Sequence, residues 1–111
     1  MIQRLLMIGL STIVFLLSSL SPVFAADLTS GAKLFEVQCA GCHANGGNIV
    51  RRGKTLKLKA LKQNGYATEA AIAEIVTNGK NNMSAYNDRL SQAQIQDVSA
   101  YVLDRAKKGW K

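Results

Sequence analysis

Both cysteines and the single histidine of the sequence lie in one short stretch, Cys39-Ala40-Gly41-Cys42-His43. The spacing Cys-x-x-Cys-His is the attachment signature of c-type haem: the two thiols add to the haem vinyl groups, and the adjacent imidazole binds the iron from one side. Two thioether bonds keep the haem attached even to a small domain. The pattern therefore predicts one covalently bound haem c.

Paired cysteines have other uses. A thioredoxin-type redox disulfide requires a βαβ context, and this sequence has almost no strand pattern. A structural disulfide of a secreted protein is the second alternative. A zinc site needs four ligands, and no further Cys or His is present to complete one. Haem attachment is the interpretation that we favour.

A six-coordinate iron needs a ligand on the side opposite His43, and without a second histidine the available group is the thioether of methionine. Met1 and Met7 belong to an N-terminal segment that we expect to be removed, which leaves Met83. A methionine can also fill a gap in a core, but Met83 stands in a polar stretch, residues 78–86. We predict that Met83 is the second axial ligand.

Residues 1–25 resemble a secretory signal. Arg4 gives the positive start, residues 5–17 are uncharged and mostly apolar, and Val23-Phe24-Ala25 has small residues where signal peptidase requires them. The alternative is a membrane anchor, but the apolar run is shorter than the roughly 20 residues that span a bilayer. We predict cleavage after Ala25, which leaves one domain, residues 26–111, without a stable membrane anchor.

Basic residues are concentrated between positions 51 and 62, where no Asp or Glu occurs. They are Arg51, Arg52, Lys54, Lys57, Lys59 and Lys62. This basic segment is either a solvated face or a positive surface that steers the protein to acidic docking sites. Export and an aromatic content of 6 % argue against a nucleic-acid partner.

Four helices are expected in residues 26–111, so the predicted class is all-α. The first follows a cap at Thr29 or Ser30 and runs to about Gln38, where it delivers Cys39. The second is a short helix within residues 54–62.

The third and fourth helices have clear start and stop signals. Thr68 caps the third, which Asn78-Gly79 ends, and its apolar set includes Ile72, Ile75 and Val76. The fourth begins at the capping box Ser91-Gln92-Ala93-Gln94 and ends before Gly109. The polar stretch that holds Met83 lies between these two helices.

These residues resemble the cytochrome c6 family, the small soluble class I cytochromes c of cyanobacterial and algal thylakoid lumens. The resemblance covers residues 26–111. It rests on Ala26-Asp27-Leu28, Gly31, Phe35, Cys39 to His43, Asn78-Gly79-Lys80 ahead of Met83, Ala100-Tyr101-Val102 and Trp110. It implies a small class I cytochrome c fold, with about four helices wrapped around one covalently bound haem.

The resemblance also implies residue roles. Cys39 and Cys42 bind haem, His43 and Met83 are its axial ligands, Gln63 lies beside the haem, and Arg89 helps docking. Gly31 and Phe35 meet Tyr101 where the first and last helices cross. The family usually has proline after its methionine ligand, whereas this chain has Ser84.

The function implied is that of a one-electron carrier and not an enzyme. The protein would pass electrons from the cytochrome b6f complex to photosystem I, with a terminal oxidase as an optional second acceptor. We expect a monomer in the thylakoid lumen or a periplasmic-side compartment, with Arg51, Arg52, Lys54 and Lys57 joining Arg89 in docking. The alternatives are a respiratory class I cytochrome c with another partner, and a peroxidase-like haem enzyme in which Met83 leaves the iron.

Overall fold

A computed structural model describes residues 25–111, which form an all-α domain with no β-strand in that range. The predicted signal segment lies outside the described residues except for Ala25. The helices are α1 (Leu28–Gln38), α2 (Ala40–His43), α3 (Leu58–Asn64), α4 (Glu69–Asn78) and α5 (Gln92–Lys107). Single 3₁₀ turns cover Ala44–Gly46 and Arg52–Lys54. The predicted all-α class is confirmed.

The cap of α1 is Asp27, so the prediction of Thr29 or Ser30 is wrong. The Asp27 carboxylate accepts hydrogen bonds from the backbone N–H groups of Thr29 and Ser30, at 2.9 and 3.1 Å. Both residues therefore lie inside the first turn, where their N–H groups are the ones that need a partner. The Asp27 N–H donates to the Asp97 carboxylate at 2.9 Å, which fixes the start of α1 against α5.

The predicted caps of α4 and α5 are confirmed. The Thr68 hydroxyl accepts from the Ala71 N–H, and Ser91 and Gln94 form a reciprocal capping box. Helix α4 ends at Asn78, followed by Gly79 with φ of 68°.

The predicted helix within residues 54–62 has different bounds. A 3₁₀ turn ends at Lys54, and α3 begins only at Leu58. Between them, the Leu56 N–H donates to the Gly46 carbonyl at 2.8 Å, and the Leu56 carbonyl accepts from the Trp110 indole N–H at 2.9 Å. These long-range bonds use both backbone groups of Leu56, and α3 begins after this residue.

Helices α1 and α5 cross at Gly31 and form the main packing contact of the domain. A Cβ at Gly31 would lie 2.2 Å from the Asp97 carbonyl oxygen and 2.8 Å from the Tyr101 Cβ, so only glycine allows this approach. The centre of the Phe35 ring lies 5.4 Å from the centre of the Tyr101 ring and 5.2 Å from that of the Trp110 ring. The expected meeting of Gly31 and Phe35 with Tyr101 is confirmed.

The core continues from this crossing towards α3 and α4. Its buried apolar residues are Phe35, Leu61, Ile72, Val76, Leu90, Ile95, Val98, Val102 and Ala106. Helix α2 carries Cys42 and His43 next to this core, and the segment between α4 and α5 carries Met83. Within residues 25–111, no helix is both long and apolar enough to cross a membrane.

Candidate haem site

A cavity of about 430 Å³ opens between α2, α4 and the segment that follows α4. Cys39, Cys42, His43 and Met83 all line it, so the four predicted haem-binding residues meet at one place. Its apolar walls come from α1, α3, α4 and α5. These wall residues are Phe35, Leu61, Ile72, Ile75, Val76, Val98 and Val102.

The two thiols are free and are not bonded to each other. Cys39 is half-buried and Cys42 is exposed. Burial raises the pKa of the Cys39 thiol from 9.0 to about 11, so in the unmodified chain this thiol is neutral at physiological pH. Both thiols border the cavity, as attachment to a group within it requires.

His43 is held by a turn that it also helps to form. Its Nδ1 lies 2.7 Å from the Gly47 carbonyl oxygen, which can only accept, so Nδ1 carries the proton in this bond. The 3₁₀ turn Ala44–Gly46 brings that carbonyl back to the ring, with Asn45 at φ of 54°. The bond orients the imidazole and leaves Nε2 with its lone pair, which is the state that a metal-binding histidine needs.

Met83 is held by a tight turn after α4. The Lys80 N–H donates to the Met83 carbonyl at 3.0 Å and the Met83 N–H donates to the Lys80 carbonyl at 2.9 Å. Asn81 takes a positive φ of 54° inside this turn. The Met83 side chain is half-buried and packs against the core. The turn therefore presents a thioether to the cavity from a segment separate from that of His43.

The donor set fits a c-type haem. Two free thiols, an imidazole with an available Nε2 and a thioether border one largely apolar cavity, which suits the apolar macrocycle. Among residues 25–111, no three Cys, His, Asp or Glu side chains cluster in a way that could hold a metal ion by themselves.

The predicted docking residues divide into two sets around the cavity. Arg51 and Lys54 border it, whereas Arg52 and Lys57 are exposed outside its lining. The Lys54 ammonium donates to the Asn64 side-chain oxygen at 2.7 Å, and that of Lys57 donates to the Asn45 carbonyl at 2.9 Å.

Arg89 is exposed and does not line the cavity, but it covers a residue that does. Its guanidinium carbon lies 5.0 Å from the centre of the Tyr86 ring. Tyr86 lines the cavity, and its hydroxyl donates to the Gln38 carbonyl at 2.9 Å.

Gln63 does not line the cavity, and its predicted place beside the haem stays a prediction. It is exposed on α3, whereas its neighbours Leu61 and Asn64 line the cavity. The helical turn directs residue 63 away from the face that carries 61 and 64.

The sequence indicated that Ile75 is on the apolar side of its helix, but gave no reason to place it at the cavity. The role of Tyr86 was missed because its hydroxyl partner is 48 residues away.

Comparisons with known proteins agree with this site. The family profile described as "Cytochrome C oxidase, cbb3-type, subunit III" matches residues 26–102. A "Cytochrome c6-like" protein of Nostoc sp. (strain PCC 7120) is 56 % identical over 110 residues, which are 98 % of this chain and 99 % of that protein. A "Cytochrome c6" of Synechococcus sp. (strain PCC 6312) is 51 % identical over 109 residues, 97 % of each chain.

The solved structure of cytochrome c6C from Synechococcus sp. PCC 7002 is 59 % identical, with a TM-score of 0.70 over 71 % of this chain and 96 % of that one. Fold, site and full-length relatives therefore lead to one conclusion. The chain belongs to the cytochrome c6 family of c-type cytochromes, which are electron carriers with one covalently bound haem.

Proposed function

We propose that this protein takes electrons from the cytochrome b6f complex and passes them to photosystem I in the thylakoid lumen, after removal of residues 1–25. The observation that carries the proposal is the meeting of an imidazole and a thioether, supplied by separate segments, at one apolar cavity beside two free thiols. The bound haem supplies a one-electron Fe(III)/Fe(II) couple.

The proposed ligand set gives each residue a distinct task. Cys39 and Cys42 would hold the macrocycle through thioether bonds, His43 would bind the iron through Nε2, and Met83 would bind it through its sulfur. Thioether ligation and the apolar walls disfavour the additional charge of the oxidised state, which raises the reduction potential. If His43 and Met83 both bound the iron, the haem would have no free position for oxygen or peroxide. This argues for electron transfer and against a peroxidase-like enzyme.

Docking is proposed to use the basic residues at and near the cavity rim. They are Arg51, Arg52, Lys54, Lys57 and Arg89. No Asp or Glu occurs between Glu36 and Glu69, so the basic segment has no acidic neighbour in its own sequence to cancel its charge. A one-sign surface beside the cofactor raises the rate of encounter with acidic partners and loses this effect as salt is added.

The ligand set is tested by absorption spectroscopy of the haem-loaded protein. The family resemblance leads us to expect a weak band at the red end of the ferric spectrum, which marks methionine bound to iron. Met83→Ala should abolish this band and lower the reduction potential by on the order of 100 mV, because the potential depends strongly on the axial ligand. A band that persists in Met83→Ala would assign the sixth position to another group.

The donor side is tested with purified cytochrome b6f complex. We expect it to reduce the ferric protein in a second-order reaction that slows as salt is raised. Two relatives described above are named cytochrome c6-like and cytochrome c6C rather than cytochrome c6. Because these names do not identify an electron acceptor, the acceptor is tested directly as well. Rapid oxidation by a terminal oxidase, without oxidation by photosystem I, would favour the respiratory alternative.

A further inference from the structure

Tyr86 follows Met83 by three residues and connects the segment after α4 to the haem-attachment stretch. Its side chain is half-buried and lines the cavity. Its hydroxyl donates to the carbonyl of Gln38, the last residue of α1, at 2.9 Å. Gln38 directly precedes Cys39. One hydrogen bond therefore joins the segment of the sixth ligand to the residue before the first attachment cysteine.

The backbone of Tyr86 is fixed as firmly as its side chain. Its N–H donates to the Val76 carbonyl in α4 at 2.9 Å, and its carbonyl accepts from the N–H groups of Arg89 and Leu90 at 3.0 and 2.9 Å. The Tyr86 ring is thus anchored to α4 at its base and to the end of α1 at its tip. The Met83 turn lies just before this anchored residue.

Arg89 covers the outer side of the same ring. Its guanidinium lies within the roughly 6 Å over which a cation is attracted to an aromatic face, at 5.0 Å from the ring centre. The side chain of Tyr86 therefore has a contact with Arg89 at its ring and a bond to Gln38 at its hydroxyl.

We propose that Tyr86 is a positioning residue that keeps the Met83 turn closed over the cavity by tying it to Gln38. The Met83 turn has only its two short-range bonds to Lys80 as internal support, and it has Ser84 where the family usually has proline. The bond from Tyr86 connects this segment to the end of α1, which the two bonds within the turn do not do. The inference rests on Met83 as the sixth ligand, as proposed above.

Tyr66 provides a matched control in the same cavity. It also lines the cavity and is half-buried, but its hydroxyl only accepts a long bond of 3.4 Å from the exposed ammonium of Lys80. Tyr66→Phe removes the same oxygen atom from the same cavity without cutting a connection to α1. Any general effect of a less polar cavity should therefore appear equally in Tyr66→Phe and Tyr86→Phe.

The test measures how fast an added ligand displaces Met83 from the ferric haem. Excess imidazole is mixed with the haem-loaded protein, and loss of the red absorption band is followed by stopped flow. We expect displacement in Tyr86→Phe to be about fivefold faster than in the unmodified protein, which is the effect of one lost hydrogen bond. We expect Tyr66→Phe to remain within about twofold.

A merely structural role of Tyr86 would lower global stability without this specific effect. The unfolding midpoint in guanidinium is therefore measured for both variants, and we expect the displacement rate to change in Tyr86→Phe even under conditions where all proteins are fully folded. Equal rates in Tyr86→Phe and the unmodified protein would overturn the inference, and so would equal acceleration in Tyr66→Phe. Absence of the red band from the unmodified protein would instead refute Met83 ligation, and this inference with it.

Discussion

Ser84 stands directly after the proposed iron ligand. Its backbone can adopt more conformations than that of a proline at the same position. Ser84 is exposed, and no described residue accepts a hydrogen bond from its N–H. Proline would therefore cost no bond of the described structure while reducing the freedom of the unfolded chain. We predict that Ser84→Pro raises the free energy of unfolding by about 0.5 kcal/mol. Guanidinium unfolding of the haem-loaded protein measures this change.

Ser84→Ala is the control for this prediction, because it removes the same hydroxyl without restricting the backbone. It should leave the free energy of unfolding close to that of the unmodified protein and below that of Ser84→Pro. A less stable Ser84→Pro would show that the backbone at this position does not suit proline.

Tyr86 gives the protein a pH-dependent contribution to stability. Burial, more than the nearby thiols, raises the pKa of Tyr86 above its ordinary value of 10.0, and Arg89 partly opposes this shift. The folded state therefore favours the protonated phenol. This contribution is complete below about pH 10, the unfolded pKa, and is lost as pH rises through the higher folded pKa.

We predict that the stability difference between the unmodified protein and Tyr86→Phe narrows as pH rises above about 10. Guanidinium unfolding at several pH values measures the difference, and other groups that titrate in this range cancel between the two proteins. A difference that is constant with pH would mean that the pKa of Tyr86 is the same in both states.

The residues that meet at the cavity could be predicted where chemistry left few candidates. Cys39, Cys42 and His43 were the only residues of their types, and Met83 was the only methionine outside the predicted signal. Gln63 was placed by resemblance alone, and its exposure on α3 does not support that place. Contacts between side chains distant in sequence, such as that of Tyr86 with Gln38, depend on helix packing, which no local pattern encodes.

At the scale of elements, the junction between α4 and the Met83 turn depends on Gly79. Its φ of 68° and ψ of 175° belong to a region that is essentially restricted to glycine. A Cβ there would lie 2.6 Å from the Met83 carbonyl oxygen and 2.7 Å from the Ala85 nitrogen. We predict that Gly79→Ala destabilises the protein by about 2 kcal/mol and weakens the red absorption band. Unfolding and the ferric spectrum measure the two effects.

Gly65 is the matched control, since it also follows a helix and has φ of 80°, but a Cβ there would meet nothing within 4 Å. Gly65→Ala should cost about 1 kcal/mol from the backbone alone and leave the band intact. A band equally weakened in both variants would remove the specific link between Gly79 and Met83.

Helix existence was easier to predict than helix bounds. The predicted caps at Thr68 and Ser91 depend only on residues nearby in sequence, and both are confirmed. Helix α1 is instead capped by Asp27, whose carboxylate accepts hydrogen bonds from two N–H groups. The start of α3 was misplaced because Leu56 pairs with Gly46 and Trp110, and tertiary hydrogen bonds of this kind override local helical preference.

At the scale of the whole molecule, we propose that the basic segment beside the cavity steers the protein to its partners. We predict that reversing Arg51 and Lys54 to glutamate slows oxidation by photosystem I about tenfold at low salt, because these residues border the cavity. The difference should shrink as ionic strength rises. Second-order rate constants at several salt concentrations measure both effects.

A matched control makes the same change in net charge elsewhere. Lys107 and Lys111 are exposed near the end of α5 and do not line the cavity. Their reversal to glutamate should slow the reaction much less than reversal of Arg51 and Lys54. Equal effects of the two pairs would mean that net charge, and not a surface beside the cavity, controls the encounter.

The central claim is that this haem-loaded chain donates electrons to photosystem I, and flash-induced oxidation tests it most directly. Reduced protein is mixed with purified photosystem I, and haem absorbance is followed after a single flash. We predict oxidation with an observed rate constant that is proportional to the concentration of this protein. This rate constant should fall as salt is added. If the flash causes no oxidation of the haem, in a sample whose ferric form shows the red band, the claim is contradicted.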